Sequence, residues 1–250
     1  MIGLTAGTSS YRVEPDLDTR LSVSCDGTDD HVVLSSASAD TIKTTGSVSV
    51  WFRLETVSGN SMIFALADGT SNNNKIIVNY SESGEFIRLN CRGGSTSSNT
   101  DHPITPSAIV AGKWTHIVAT WDRTTPKKQI FVNGVAGVNS PDTGDITAWD
   151  GGSTADTIFL GKATNADNTY WAGHFSNYSI YDRELTAADA LTLYNNGVPG
   201  DLLEGVPVAK LLEWYPLDES SGNFVDLKSG ETGSVANATQ GAADSPAFPA

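Results

Sequence analysis

The alternation of apolar and polar positions defines most of the expected secondary structure. Between Ser47 and Leu54, the residues Val48, Val50, Phe52 and Leu54 fall on one face, and Ser47, Ser49, Trp51 and Arg53 on the other. A period of two marks a half-buried strand, because successive side chains of an extended chain point to opposite sides. Shorter apolar runs of strand character lie at 31–34, 62–66, 75–80, 86–89, 114–121, 129–132, 157–160, 175–181 and 211–215. Asn133-Gly134 favours left-handed backbone and predicts a tight hairpin after Val132, with Val135-Ala136 beginning the return. One segment has helical spacing. Ala187, Ala190, Leu191 and Tyr194 recur on one face, Thr186 and Asp189 form a capping box, and Gly197 supplies a stop.

About ten to twelve short strands and one short helix near residues 186–195 predict an all-β fold, a two-sheet antiparallel jelly-roll β-sandwich. Residues 1–22 read as an N-terminal arm and 23–200 as the sandwich. Residues 201–250 read as a linker, one extra strand at 210–217 and an irregular tail. The stretch from Gly93 to Ile109 reads as a long polar loop.

Composition narrows the classes of partner. The chain has 250 residues, of which 29 are acidic and 15 basic, for a net charge of −14. That balance argues against nucleic acid and against anionic membrane surfaces, both of which select a basic footprint. The first residues lack the basic start and apolar stretch of a signal peptide, and no apolar run is long enough to span a bilayer. The two cysteines, Cys25 and Cys91, read as small buried thiols left reduced rather than as a disulfide framework.

The order of motifs resembles a known family. Asp26-Gly27-Thr28-Asp29-Asp30-His31-Val32 is similar to the opening of laminin-G-like domains of the concanavalin A-like lectin/glucanase superfamily. Residues 47–52, Lys113-Trp114-Thr115-His116-Ile117-Val118-Ala119, Ile130-Phe131-Val132-Asn133-Gly134, residues 158–161 and the stretch 171–186 resemble its later motifs in the same order. The resemblance spans residues 25–197 and implies a jelly-roll sandwich. It is of the kind found in bacteriophage structural proteins.

Two departures stand out. Ser176 and Asn177 occupy the place of an acidic pair that is frequent in the family's last strand. Where members bind calcium, that pair and the opening loop contribute oxygens. Asp26, Asp29 and Asp30 therefore remain the candidate metal ligands, Ca²⁺ is the one cofactor left open, and structural turn residues are the competing reading. Second, Trp214-Tyr215-Pro216-Leu217-Asp218-Glu219 resembles a strand that ordinarily precedes the sandwich, yet here it comes last. Either the fold is circularly rearranged or a fragment of another copy is appended.

Catalytic patterns are absent from the sequence. No E-x-D-x-x-E triplet, nucleophile elbow or metal-spaced histidine pair occurs, and His116 reads as a strand histidine hydrogen-bonded in place. Sugar binding needs aromatic faces beside amides and carboxylates. Trp149 lies in a polar stretch where no core pattern demands it, and it is the leading glycan-contact candidate, with Tyr170 and Asn73 behind it. Capping one end of the sandwich is the competing role for Trp149. The expectation is a non-catalytic virion protein, decorating a capsid or tail. Its partners would be other virion proteins, copies of itself and a host-surface glycan. The rival is a free carbohydrate-binding module or a glycan-degrading enzyme.

Overall fold

The computed structural model describes residues 21–55, 60–67, 74–81, 86–93, 96–103, 109–137, 157–164, 169–205 and 208–242. Among these are sixteen strands and two short helices. The strands are β1 (Ser22–Asp26), β2 (His31–Leu34), β3 (Thr45–Leu54), β4 (Asn60–Ala67), β5 (Asn74–Ser81), β6 (Phe86–Gly93), β7 (Thr96–Pro103) and β8 (Trp114–Asp122). They continue as β9 (Lys127–Val132), β10 (Val135–Ala136), β11 (Thr157–Leu160), β12 (Ala172–Tyr181), β13 (Leu211–Tyr215), β14 (Phe224–Val225), β15 (Thr232–Ala236) and β16 (Thr239–Ala242). Helix α1 is Ala39–Ile42 and α2 is Ala187–Tyr194.

The strands form two antiparallel sheets, as the alternation predicted. One runs β10-β9-β8-β3-β12-β1-β16, with β13 also on β12; the other runs β14-β15-β2-β11-β4-β5-β6-β7. Val48, Val50, Phe52 and Leu54 of β3 are buried in the core between the sheets, facing residues such as Leu34, Phe64, Val78 and Leu160. Cys25 and Cys91 are buried and free.

The opposite face of β3 is covered by α2. Thr186 accepts from the Asp189 N–H, Asp189 accepts in return at the Thr186 N–H, and Asn195 closes the helix at φ 43°. The predicted stop at Gly197 thus falls two residues after the first left-handed residue, because asparagine also tolerates that conformation. The helix seals a second apolar cluster containing Val118, Phe131, Tyr181, Leu185, Leu193 and Trp214. Beside it Trp51, His116 and Tyr194 stack, with Ser49 Oγ 2.8 Å from His116 Nε2.

The structure corrects three expectations. The loop expected between Gly93 and Ile109 contains β7, paired in register with β6 from Phe86↔Pro103 to Gly93↔Thr96. The tail after residue 218, expected to be irregular, contains β14, β15 and β16. A second helix, α1, precedes β3, and its Ile42 carbonyl accepts the Trp121 indole N–H at 2.7 Å.

The out-of-order C-terminal motif belongs to this sandwich. One edge of β12 pairs with β1 through Ala172–Phe175 and with β13 through Tyr178–Tyr181, so the two strands lie end to end along it. β16 then extends the sheet beyond β1, and β15 covers β2 in the other sheet. The C-terminal strands are therefore built into both sheets of this sandwich.

Candidate functional site

The turn between β1 and β2 gathers three carboxylates. Gly27 holds φ +84°, and a Cβ there would sit 2.9 Å from that of Ala172, so only glycine lets the chain turn back so tightly. Asp26 Oδ1 accepts the Thr28 N–H at 2.7 Å, and the Asp26 N–H donates to Asp30 Oδ2 at 2.9 Å. Asn237, in the turn between β15 and β16, donates to Asp29 Oδ2 at 2.9 Å. One oxygen from each of Asp26, Asp29 and Asp30 lies within 4.8 Å of the other two. Burial raises the titration of Asp30 above the usual aspartate value, against the opposing Asp26 N–H, and the charges of Asp26 and Asp29 add to it. A cation at this point would relieve that repulsion, and three carboxylates supply part of the 6–8 oxygens that Ca²⁺ takes.

Next to this turn stands an aromatic wall. His31, the first residue of β2, places Nδ1 3.0 Å from the Asp29 carbonyl oxygen. Its ring meets Phe159 of β11 edge-on at 5.6 Å and Tyr170 at 6.2 Å. Lys162 pairs with Tyr170 in an isolated bridge. Its ammonium sits 5.8 Å from the centre of the Phe159 ring and 5.5 Å from that of Tyr170, a cation–π arrangement. Burial lowers the titration of His31, with Lys162 adding to the effect and Asp29 and Asp30 opposing it.

His31 thus joins the two halves: carboxylates on one side, aromatic rings and a lysine on the other. Tyr170 and the Asp26–Asp29–Asp30 trio, separate candidates in the sequence, belong to one corner of the sandwich. Trp149 and Asn73 lie outside the described residues. Sequence reasoning missed His31 and Lys162; the signal available was the position of His31 directly after the acidic turn. Asn177 does not serve this corner, because its side-chain carbonyl accepts the Trp214 indole N–H.

Two further clusters resemble catalytic machinery and lack access. Ser22 Oγ lies 2.9 Å from His174 Nδ1, and His174 Nε2 lies 3.1 Å from Glu55 Oε1. Ser22 is 0% exposed, so no substrate reaches its hydroxyl. Burial drives His116 down to about 3, which keeps it neutral, and it is sealed under Trp51 and Tyr194. The three clustered aspartates come from five consecutive residues of one turn.

The two sheets define a lectin-like sandwich. A family model of laminin G type, described as the concanavalin A-like lectin/glucanases superfamily, matches residues 26–190, and the chain belongs to that family. No curated protein matches it in sequence. Among solved structures, the chain is similar to a Bacteroides ovatus protein to which carbohydrate binding is ascribed. The TM-score is 0.58 at 16% identity, over 93% of this chain and 62% of that one. This chain therefore spans about three-fifths of that protein. It is similar to the heptameric SAP-like pentraxin of Limulus polyphemus, with TM-score 0.58 and 17% identity over 91% of this chain and 97% of the pentraxin. It is also similar to CBM40 of the Ruminococcus gnavus IT-sialidase, bound to α2,3-sialyllactose. There the TM-score is 0.57 at 13% identity, over 69% of this chain and 96% of that one.

Proposed function

We propose that the chain is a non-catalytic glycan-binding module whose site is the corner built from Asp26, Asp29, Asp30, His31 and Tyr170, with Phe159 and Lys162 buried behind them as support. The observation that carries this reading is His31, which touches the acidic turn through the Asp29 carbonyl and the aromatic wall through Phe159 and Tyr170. Carboxylates accept from sugar hydroxyls, and aromatic rings cover the apolar faces of pyranosides. The carbohydrate-binding relatives on the same sandwich support the class. Asp26, Asp29 and Asp30 would hold Ca²⁺ here, and the ion would offer a further point of attachment for sugar oxygens.

The test is a glycan array read with calcium and with chelator, for the wild type and for Tyr170→Ala. Signal that falls at least about tenfold in Tyr170→Ala supports the site. Signal unchanged in Tyr170→Ala, or turnover of any bound glycan, overturns it.

The proposal extends to location: a decoration protein of a phage capsid or tail, assembled with other virion proteins or with copies of itself. The feature that supports it is the order of motifs in the sequence, where the Trp214–Glu219 stretch follows the sandwich motifs instead of preceding them. Mass spectrometry of purified particles tests it: recovery of the chain supports a virion role, and its absence removes that role.

A further inference from the structure

β13 carries an acidic side chain into the core. Glu213 and Tyr215 share one face of the strand by its period of two, and across the ladder they oppose Ile180 and Tyr178 of β12. That face is the core face, since Tyr178, Ile180 and Tyr215 all belong to the main apolar cluster. Glu213 is 1% exposed. Neither of its oxygens finds a hydrogen-bond partner, and neither do the hydroxyls of Tyr178 and Tyr215, whose rings lie 6.1 Å apart. A buried carboxylate without donors is expensive, whereas the neutral acid is far less so.

The surroundings favour the neutral form. Asp226 bears on Glu213 from the turn after β14, and Glu231 from the approach to β15, and both disfavour a charge on Glu213. Asp226 is satisfied by the N–H groups of Trp214 and Lys228 and the Ser229 hydroxyl, so it offers Glu213 no donor. Ser38, the residue before α1, opposes this through its hydroxyl and its backbone, and the Ser35 backbone faces Tyr215.

We propose that Glu213, with Tyr178 and Tyr215, forms a proton-operated latch. The latch seats β13 on β12 while the carboxyl is neutral and loosens it when the carboxyl ionises. Burial, reinforced by Asp226 and Glu231 and opposed by Ser38, pushes Glu213 up to about 7 from 4.5. A folded-state value above the unfolded one means that the stabilisation is full below about 4.5 and is lost as pH rises through about 7. Three histidines act with the opposite sign. His31, His116 and His174 are all lowered, so their contribution grows as pH rises.

The test uses the full chain. ¹³C NMR of the Glu213 carboxyl carbon reads its titration midpoint. Hydrogen exchange, corrected for intrinsic rates, reads the protection of the β13 amides between about pH 5.5 and about pH 8.5. The latch predicts a midpoint near 7 and a fall in β13 protection of roughly thirtyfold over that window, with β3 and β8 little changed. Glu213→Gln, and Glu213→Leu as the apolar counterpart, abolish the fall. A midpoint near 4.5 overturns the latch, as does flat β13 protection in the wild type or a fall that persists in either variant. The NMR and wild-type exchange decide the matter even where a variant does not fold.

Discussion

The side-chain carbonyl of Asn177 accepts the indole N–H of Trp214, binding the middle of β12 to the strand that arrives from the C-terminal segment. The backbone N–H of Asn177 donates to the Pro216 carbonyl at 2.8 Å. Its φ of 48° sits at the bulge between Ser176 and Ser179, where the partner of β12 changes from β1 to β13. One asparagine therefore makes the bulge and fastens the strand that begins beyond it, since a short amide side chain tolerates left-handed backbone.

Replacing Asn177 separates the two roles. Asn177→Ala strands the buried Trp214 N–H and places a methyl group on left-handed backbone, for an expected loss of about 2–4 kcal/mol. Asn177→Gly keeps the turn and loses only the bond, so it costs about 1–2 kcal/mol less than alanine. Urea midpoints measure the difference; equal losses in the two variants would show that the left-handed conformation carries no cost here.

Gly173 is the least replaceable glycine near the proposed site. A Cβ there would meet the Arg53 carbonyl oxygen at 2.0 Å, and its φ is +148°. Gly173→Ala is expected to cost about 3 kcal/mol or more, enough to remove most soluble protein on expression. Recovery of a folded variant with wild-type thermal stability would contradict the close approach of β12 and β3.

Acid titration should expose two carboxylates in structural roles. Asp122 is held down at about 2 by Thr124, Thr125 and Thr45 against the cost of burial, and Asp189 at about 2 by Arg183 and Thr186 against the same cost. Both folded values lie below the ordinary 3.8, so this stability is present above about pH 4 and is lost as pH falls towards 2. Thermal melts of Asp189→Asn should show a shallower acid slope than the wild type. An identical slope would mean that the Arg183 pair and the helix cap contribute nothing to acid stability.

Calcium addition checks the acidic turn independently of any glycan. If Asp26, Asp29 and Asp30 hold the ion, the melting temperature rises with calcium concentration, by about 2.7 kcal/mol of stabilisation at a hundred times the dissociation constant. Asp26→Asn removes that rise. A melting temperature indifferent to calcium assigns the trio to turn formation alone, with Thr28, Asn237 and the Asp26 N–H as their partners among the described residues.

The legible parts of the sequence were those with a one-sided apolar pattern. β3 and β8 announce themselves because one face packs in the core, and α2 because Thr186 and Asp189 cap it. β7 did not, since Thr96-Ser97-Ser98-Asn99-Thr100-Asp101-His102-Pro103 has no apolar alternation and its strand state comes from pairing with β6. β15 and β16 were missed for the same reason, as short strands rich in glycine, serine and threonine, and β14 because it is only two residues long. At the candidate site, the acidic trio was legible because its members are neighbours in the chain. Its union with Tyr170 was not, because His31, Phe159 and Lys162 meet only through the pairing of β2 with β11.

The shared edge of β12 also imposes a schedule on synthesis. Half of that edge, together with the outer edges of β1 and β2, is covered by residues 211–242, which are synthesised after β12. A nascent chain that has already emitted every strand up to β12 still presents three open ladders to its surroundings. Closure waits for β13, β15 and β16, so the interval before they emerge is the period when unpaired edges most need protection from neighbouring chains.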